Sequence, residues 1–282
     1  MRDRVVLMTG ATSGIGKEAA IALAQQGATL LAVSRDRARG EAAVAEIRRR
    51  SGSGAVELFL ADLSSQASVR ELARAVLARH DRLHVLINNA GTLNLRRQTT
   101  VDGFEETFAL NHLAPFLLTN LLLDRLLASA PARIVNVASA AHKYGRIDFD
   151  DLQGERGFKG LRAYADSKLA NVLFTHELAR RLEERGAAGM TANSVHPGGV
   201  DTNIWRDMTG LLRLLILAMR PFLLSAARGA EPLIHVASSP QLDGVTGQYF
   251  HRMKPRRSSA ASRDPALAAR LWEVSAALAP SS

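Results

Sequence analysis

Short apolar runs alternate along the chain with longer stretches whose apolar residues recur every three to four positions. "RVVLMTG" precedes "GKEAAIALAQQG", "ATLLAVS" precedes "RARGEAAVAEIRRR", and "AVELFLADL" precedes "SSQASVRELARAVLARH". "LHVLINNAG", "ARIVNVASA" and "MTANSVHPG" are further runs of strand length. Consecutive rather than alternate apolar positions fit strands buried on both faces, as in a parallel sheet with helices on either side. The pattern predicts an α/β fold: a doubly wound parallel sheet in three layers (α/β/α), forming a single domain over residues 1–282. Gly27, just past the first helical stretch, suits a C-terminal cap. No repeat and no low-complexity linker interrupts the alternation.

The last third is less regular. After "HPGGVDTN" the pattern predicts an apolar, helical segment to about Arg228. "HRMKPRRSSAASRDP" (His251 to Pro265) reads as a basic, turn-rich tail, and "ALAARLWEVSAAL" as a short C-terminal helix.

Composition narrows the classes. Hydrophobic residues are 47% and charged residues 22%, a globular balance. There is no cysteine, which excludes disulfides, thiolate metal sites and cysteine nucleophiles and agrees with a cytoplasmic location. The N-terminus enters a strand without a signal-peptide core, so no targeting segment is expected. No apolar run reaches the roughly 18 residues of a spanning helix. The longest candidate, "LLRLLILAMRPFLL", is broken by Arg213, Arg220 and Pro221. The net charge is +9, but the arginines are dispersed and aromatics are 5%, so no nucleic-acid partner is expected. His196 and the other histidines show no metal spacing, and no metal is assigned.

"TGATSGIGK" (Thr9 to Lys17) joins the first strand to the first helix, the setting in which a glycine-rich turn binds a pyrophosphate. Gly10 allows the tight turn, and Gly14 and Gly16 allow close approach of ligand and helix. The helix N-terminus offers N–H groups and a positive dipole end. Thr12, Ser13 and Ile15 belong to the same cradle. The fold is then of Rossmann type. At the end of the second strand, "LLAVSRD" places Ser34 where an acidic residue would select NAD, with Arg35 directly after it. Ser34 does not repel a 2′-phosphate and Arg35 can pair with one, which favours NADP(H) over NAD(H). Lys17 and Arg39 add positive charge, while Asp36 is a competing carboxylate for the ribose. Asp62 and Leu63 end the third strand, with Asp62 a candidate adenine contact or helix cap. Asn89, Ala90 and Gly91 in "NNAG" end the fourth strand and suit close packing on a cofactor, or a plain turn.

"YADSK" puts Tyr164 and Lys168 on one helix face, about 6 Å apart along the axis. Free tyrosine titrates near 10, so proton transfer near neutrality needs a drop of roughly 3 units, or about 4 kcal/mol. Lys168 is expected to supply part of that drop and a nicotinamide cation more. Ser139 ends the fifth strand, where open α/β sheets bind ligands, and can hold a substrate oxygen or cap a helix. Asn111, inside the apolar "FALNHLAPFLLTN", points to a specific hydrogen bond or a kink. His142, Lys143 and Tyr144 are expected to border the pocket.

Taken in order, "TGATSGIG", "ADL", "NNAG", Asn111, Ser139, "YADSK" and "HPGGVDT" resemble the short-chain dehydrogenase/reductase family over nearly the whole chain. "IVNVASAAHKYGRIDFDDLQGE" and "AYADSKLANVLFTHELARRL" are similar to its retinol dehydrogenase-like branch. The resemblance implies an oxidoreductase acting on CH–OH donors with a catalytic tetrad of Asn111, Ser139, Tyr164 and Lys168. It implies that Lys168 also binds the nicotinamide ribose, that Asn111 supports a proton relay, and that Pro197, Gly198, Val200 and Thr202 contact the nicotinamide end. The branch generally prefers NADP. Animal members often carry an N-terminal hydrophobic anchor, which this sequence lacks, so membrane residence and a retinoid substrate are not implied.

Residues 203–225 are rich in Leu, Ile, Met and Trp and are expected to form a lid over a small hydrophobic carbonyl or alcohol substrate. Core or subunit contact and shallow membrane contact stay open for this segment. The resemblance also implies a homodimer or homotetramer, with the helix from Tyr164 to Arg181 at the interface. Two other functions stay open: an NADP-binding regulatory or scaffold protein on the same fold, and an NAD-preferring alcohol dehydrogenase. An epimerase or dehydratase sharing Tyr-x-x-x-Lys fits the glycine spacing and length less well.

Overall fold

The structure, a computed structural model, describes residues 1–199 and 223–281. An eight-stranded sheet runs in the order β3-β2-β1-β4-β5-β6-β7-β8. Its strands are β1 (Val5–Thr9), β2 (Thr29–Ser34), β3 (Val56–Leu60), β4 (Val85–Asn88), β5 (Ala132–Val137), β6 (Met190–His196), β7 (Tyr249–His251) and β8 (Lys254–Arg256). All neighbours pair in parallel except β7 and β8, which form an antiparallel edge. The six predicted strands are present. β7 and β8 are two strands not predicted, the second within the basic, turn-rich stretch from His251: Tyr249, Phe250 and His251 pair with Ser194, Val195 and His196.

Alternate strand residues feed two cores. Leu7, Leu31, Leu86 and Ile134 face one side, under α3 (Gln66–Arg79), α5 (Ala114–Ala128), α6 (Gly160–Glu184) and α8 (Pro265–Leu278). Val6, Met8, Leu30 and Ile87 face the other, under α1 (Gly14–Gln25), α2 (Arg37–Ser51) and α7 (Ala226–Ser238). Both faces being covered explains why the strands read as continuous apolar runs. Helix ends follow local chemistry. Asp36 caps α2 by accepting from the Arg39 N–H at 2.8 Å, and Gly52, with φ of 69°, closes it.

The order of pairing places β1 between β2 and β4, so the chain reverses its direction of winding there. That reversal opens a crevice at the carboxyl ends of β1 and β4, where open α/β sheets take their ligands.

α6 is enclosed. Every residue from Ser167 to Thr175 is buried, so that stretch has no face left for a second copy of the chain. α8 supplies part of the cover: Trp272 packs edge-on against Phe116 of α5 at 5.0 Å and lies 5.7 Å from Phe174 of α6. A subunit contact expected along α6 therefore has to avoid this stretch. No helix among the described residues is long and apolar enough to cross a membrane.

Candidate active site

A cavity of about 950 Å³ lies over the carboxyl ends of the strands. Its first wall is the turn between β1 and α1. Gly10 has φ of 65° and Gly14 of 52°, the left-handed region that glycine enters without strain. A Cβ on Gly16 would lie 2.0 Å from the Gly10 carbonyl oxygen. The α1 N-cap, Ser13, makes no side-chain cap bond, so the first N–H groups of α1 face the cavity without one. This cradle of bare backbone and an uncapped helix start fits a dinucleotide diphosphate. Thr12 and Ile15 line it as expected.

Thr9 and Asn89 fasten the turn to β4. The Thr9 hydroxyl accepts from the Asn89 and Ala90 N–H groups at 3.0 and 3.1 Å. The Asn89 amide donates to the Thr9 and Gly10 carbonyls, both at 3.0 Å. Asn89 thus lines the cavity while its amide nitrogen serves the loop.

At the end of β2, Ser34, Arg35 and Arg39 line the cavity, and both arginines are exposed. The Ser34 hydroxyl donates to the Asp36 carbonyl at 2.8 Å. Asp36 also lines the cavity, and one oxygen of its carboxylate caps α2. Lys17 corrects an expectation: its ammonium lies 2.7 Å from Glu46, in a cluster with Glu18 and Arg50, rather than with the two arginines. Asp62 and Leu63 line the cavity. Asp62 accepts from the Ser64 N–H and hydroxyl at 3.0 and 2.7 Å, an Asx turn, and Ser65 rather than Asp62 caps α3.

The chemical end of the cavity is set by β5 and α6. Ser139, Tyr164 and Lys168 all line it. The Lys168 ammonium lies 5.6 Å from the Tyr164 ring centroid and donates to the Val137 carbonyl at 3.0 Å. Burial pushes Lys168 down to about 8. Burial also pushes the Tyr164 phenol up to about 12, against a smaller downward pull from the Ser139 hydroxyl. In the protein itself, before any contribution from a nicotinamide cation, desolvation of the phenolate outweighs the downward pull of the Ser139 hydroxyl.

Asn111 lies behind the cavity rather than in its wall. It is fully buried in a π-helical turn, Ala109–Leu113, between α4 (Glu106–Phe108) and α5. Its amide oxygen accepts from the Thr92 N–H at 2.8 Å, and its nitrogen donates to the Thr92 carbonyl and the Ser167 hydroxyl, both at 2.9 Å. Both alternatives read from the sequence, a specific bond and a local distortion, are met in one residue. A Cβ on Gly91 would approach the Asn111 oxygen to 3.2 Å and the Lys168 nitrogen to 3.5 Å, which explains the glycine.

Pro197 and Gly198 line the cavity after β6. Val200, Thr202 and residues 203–222 of the expected lid lie outside the described residues. The end of that segment returns at Leu224, whose N–H donates to the Gly199 carbonyl at 2.8 Å. Of the three residues expected at the rim, Tyr144 lines the cavity and is 79% exposed. His142 is fully buried and turned away.

Several supports were missed from sequence. Ser167 sits within "YADSK" and donates to the Tyr164 carbonyl at 2.8 Å while accepting from Asn111. His196 lines the cavity, accepts from the Gly198 N–H at 3.4 Å, stacks at 4.9 Å on His251, and is pushed down to about 4 by burial. Asn88, Asn136 and Thr175 form a buried ladder across β4, β5 and α6. The asparagine content of the strands was a usable signal, but its partners come from distant elements. No group of three or more metal-ligating side chains occurs among the described residues.

Comparisons with known proteins agree with this geometry. The family model for short chain dehydrogenases matches residues 4–210. Retinol dehydrogenase 12 of Mus musculus is 46% identical over 98% of this chain and 86% of its own length. Retinol dehydrogenase 11 of Homo sapiens is 44% identical over 96% and 84%. Among solved structures, an uncharacterised protein from Mycobacterium Paratuberculosis superposes with a TM-score of 0.80 at 36% identity, covering 99% of this chain and 94% of that one. A dehydrogenase/reductase from Sinorhizobium meliloti gives 0.69 at 27% identity, covering 89% and 93%. With the glycine cradle, the switch-point crevice and the Tyr164–Lys168 pair in place, the chain belongs to the short-chain dehydrogenase/reductase family, in its retinol dehydrogenase-like branch, and is an oxidoreductase that acts on CH–OH groups with a nicotinamide cofactor.

Proposed function

We propose that the chain is an NADP(H)-dependent oxidoreductase that interconverts an aldehyde or ketone with an alcohol on a small hydrophobic substrate. One observation carries the reading: Ser139, Tyr164 and Lys168 converge on the same cavity whose far wall presents Arg35 and Arg39. The arginines supply a site for a 2′-phosphate. Leu93, Leu110 and Leu161 supply apolar wall. The relatives named for retinol support a hydrophobic alcohol or aldehyde as the substrate class.

In reduction, Tyr164 donates its phenolic proton to the carbonyl oxygen; in oxidation it takes the proton back. A bound nicotinamide supplies or receives the hydride. Ser139 holds the substrate oxygen beside the phenol. Lys168 holds the ribose hydroxyls and adds positive charge near the ring, and Asn111 fixes the loop after β4 and the start of the Lys168 turn. The turn from Gly10 to Gly16 would hold the diphosphate, Asp62 and Leu63 the adenine, and Asn89 to Gly91 with Pro197 and Gly198 the nicotinamide end. The enzyme works in the cytoplasm as a homodimer or homotetramer, with subunit contacts outside the enclosed stretch of α6.

The test is stoichiometric. NADPH is mixed with a panel of hydrophobic aldehydes and ketones, and loss of reduced nicotinamide is compared with alcohol formed. Equal amounts of each support the reading. NADPH bound without turnover of any substrate in the panel would favour a binding protein on the same fold.

A further inference from the structure

The Ser139 loop is held from two sides, and one of them is the C-terminal segment. On the first side Gly145, closing the turn Ala140–Tyr144, lies against α6 so tightly that a Cβ there would be 2.5 Å from the Ala165 carbonyl oxygen. On the second side stands His142, fully buried and outside the cavity wall. Its Nδ1 lies 2.6 Å from the Ser139 carbonyl oxygen, and its Nε2 accepts from the Ser259 N–H at 3.1 Å. A carbonyl oxygen can only accept and an N–H can only donate. One ring satisfies both partners in a single form, the neutral imidazole with its hydrogen on Nδ1. The ring is further fixed by Tyr249 of β7, 4.7 Å away between centroids.

Ser259 is itself held. The Ser262 hydroxyl donates to its carbonyl at 2.8 Å, and the Ser262 N–H donates to its hydroxyl at 3.3 Å. The segment then continues into α8, whose Ser275 meets His112, the neighbour of Asn111, at 2.8 Å.

We propose that His142 is a positioning residue that fixes Ser139 through its backbone carbonyl, using Ser259 of the C-terminal segment as the anchor. It touches neither the cavity nor the reacting atoms, so its effect passes through the placement of the Ser139 hydroxyl. A misplacement of about 1 Å can cost on the order of a hundredfold in rate. The proposal rests on the role given to Ser139 above.

Three substitutions separate the two ring contacts. His142→Asn keeps a donor at the Nδ1 position, His142→Gln keeps an acceptor toward Ser259, and His142→Phe keeps the ring shape and neither contact. The expected result is a loss of kcat of about tenfold or more in the Phe and Gln variants, with recovery to within about threefold in Asn. The cofactor Kd stays unchanged in all three. Exchange of the Ala141 N–H, which donates to the Ser139 hydroxyl at 3.2 Å, should stay slow in Asn and quicken in Gln and Phe. In the unmodified protein, imidazole nitrogen chemical shifts should report the neutral Nδ1–H form. An Nε2–H form or a cation at neutral pH would overturn the proposal, as would an Asn variant no better than Phe in kcat and exchange. The chemical shifts need no variant and decide the matter if a variant does not fold. Absence of turnover in the unmodified protein would count against the proposed reaction, while the shifts and the exchange rates still judge His142.

Discussion

The Lys168 ammonium sits 5.6 Å from the centre of the Tyr164 ring and bonds the Val137 carbonyl at 3.0 Å. The lysine is thereby tied to the end of β5, the strand that also delivers Ser139. One strand end thus fixes both the cation and the hydroxyl beside the phenol. The same enclosure that orders these groups removes water from them, which is why the phenol rises and the ammonium falls.

A pH profile follows. With the phenol near 12, Tyr164 stays protonated and able to donate across the neutral range. Lys168, lowered to about 8, keeps its charge below that pH and loses it above. The kcat for carbonyl reduction is expected to be level through neutrality and to fall as pH rises through about 8. A steady-state profile measured at saturating cofactor checks this. A profile level well beyond 8 would remove the Lys168 charge from the mechanism.

Cofactor choice should rest on Arg35. Arg35 lines the cavity beside Asp36, one oxygen of which caps α2. Arg35→Ala is expected to weaken NADPH binding about tenfold or more, equivalent to about 1.4 kcal/mol or more, with little change for NADH. Side-by-side calorimetric titrations give the comparison. An equal loss for both cofactors would place the selecting group elsewhere.

Acid should destabilise the fold through His112. This residue is fully buried between Ser275 and Phe108, and burial lowers it from 6.5 to about 4. Its folded form therefore stays neutral in a window where the unfolded chain takes up a proton. Stability is unaffected by this group above about 6.5 and falls as pH drops toward 4, by on the order of 3 kcal/mol in total. Denaturant unfolding at stepped pH should show that slope, and His112→Asn should make it shallower, with His196, also lowered to about 4, keeping its own share. An unchanged slope in the variant would assign the acid sensitivity to other groups.

How legible the molecule was depended on sequence distance. Most of the six longer strands declared themselves as apolar runs, although β3 is partly exposed and β6, largely polar in sequence, is buried throughout. β7 and β8, three residues each, carry too little pattern, and β8 is exposed throughout. The glycine turn and the Tyr164–Lys168 spacing were readable because each is local. What escaped were pairings across the chain: Lys17 with Glu46, Asn111 with Thr92 and Ser167, and His142 with Ser259. The desolvation of Tyr164 escaped for a related reason. Helical spacing shows that a cation is near, while the desolvation depends on everything packed around the ring.

The central claim is that Tyr164 moves the proton. Tyr164→Phe keeps the ring and removes the hydroxyl alone. Its turnover with NADPH and a hydrophobic aldehyde, measured beside its NADPH affinity, tests the claim most directly. A loss of about a hundredfold or more in kcat with affinity retained is the predicted result. Turnover equal to that of the unmodified enzyme would contradict the account.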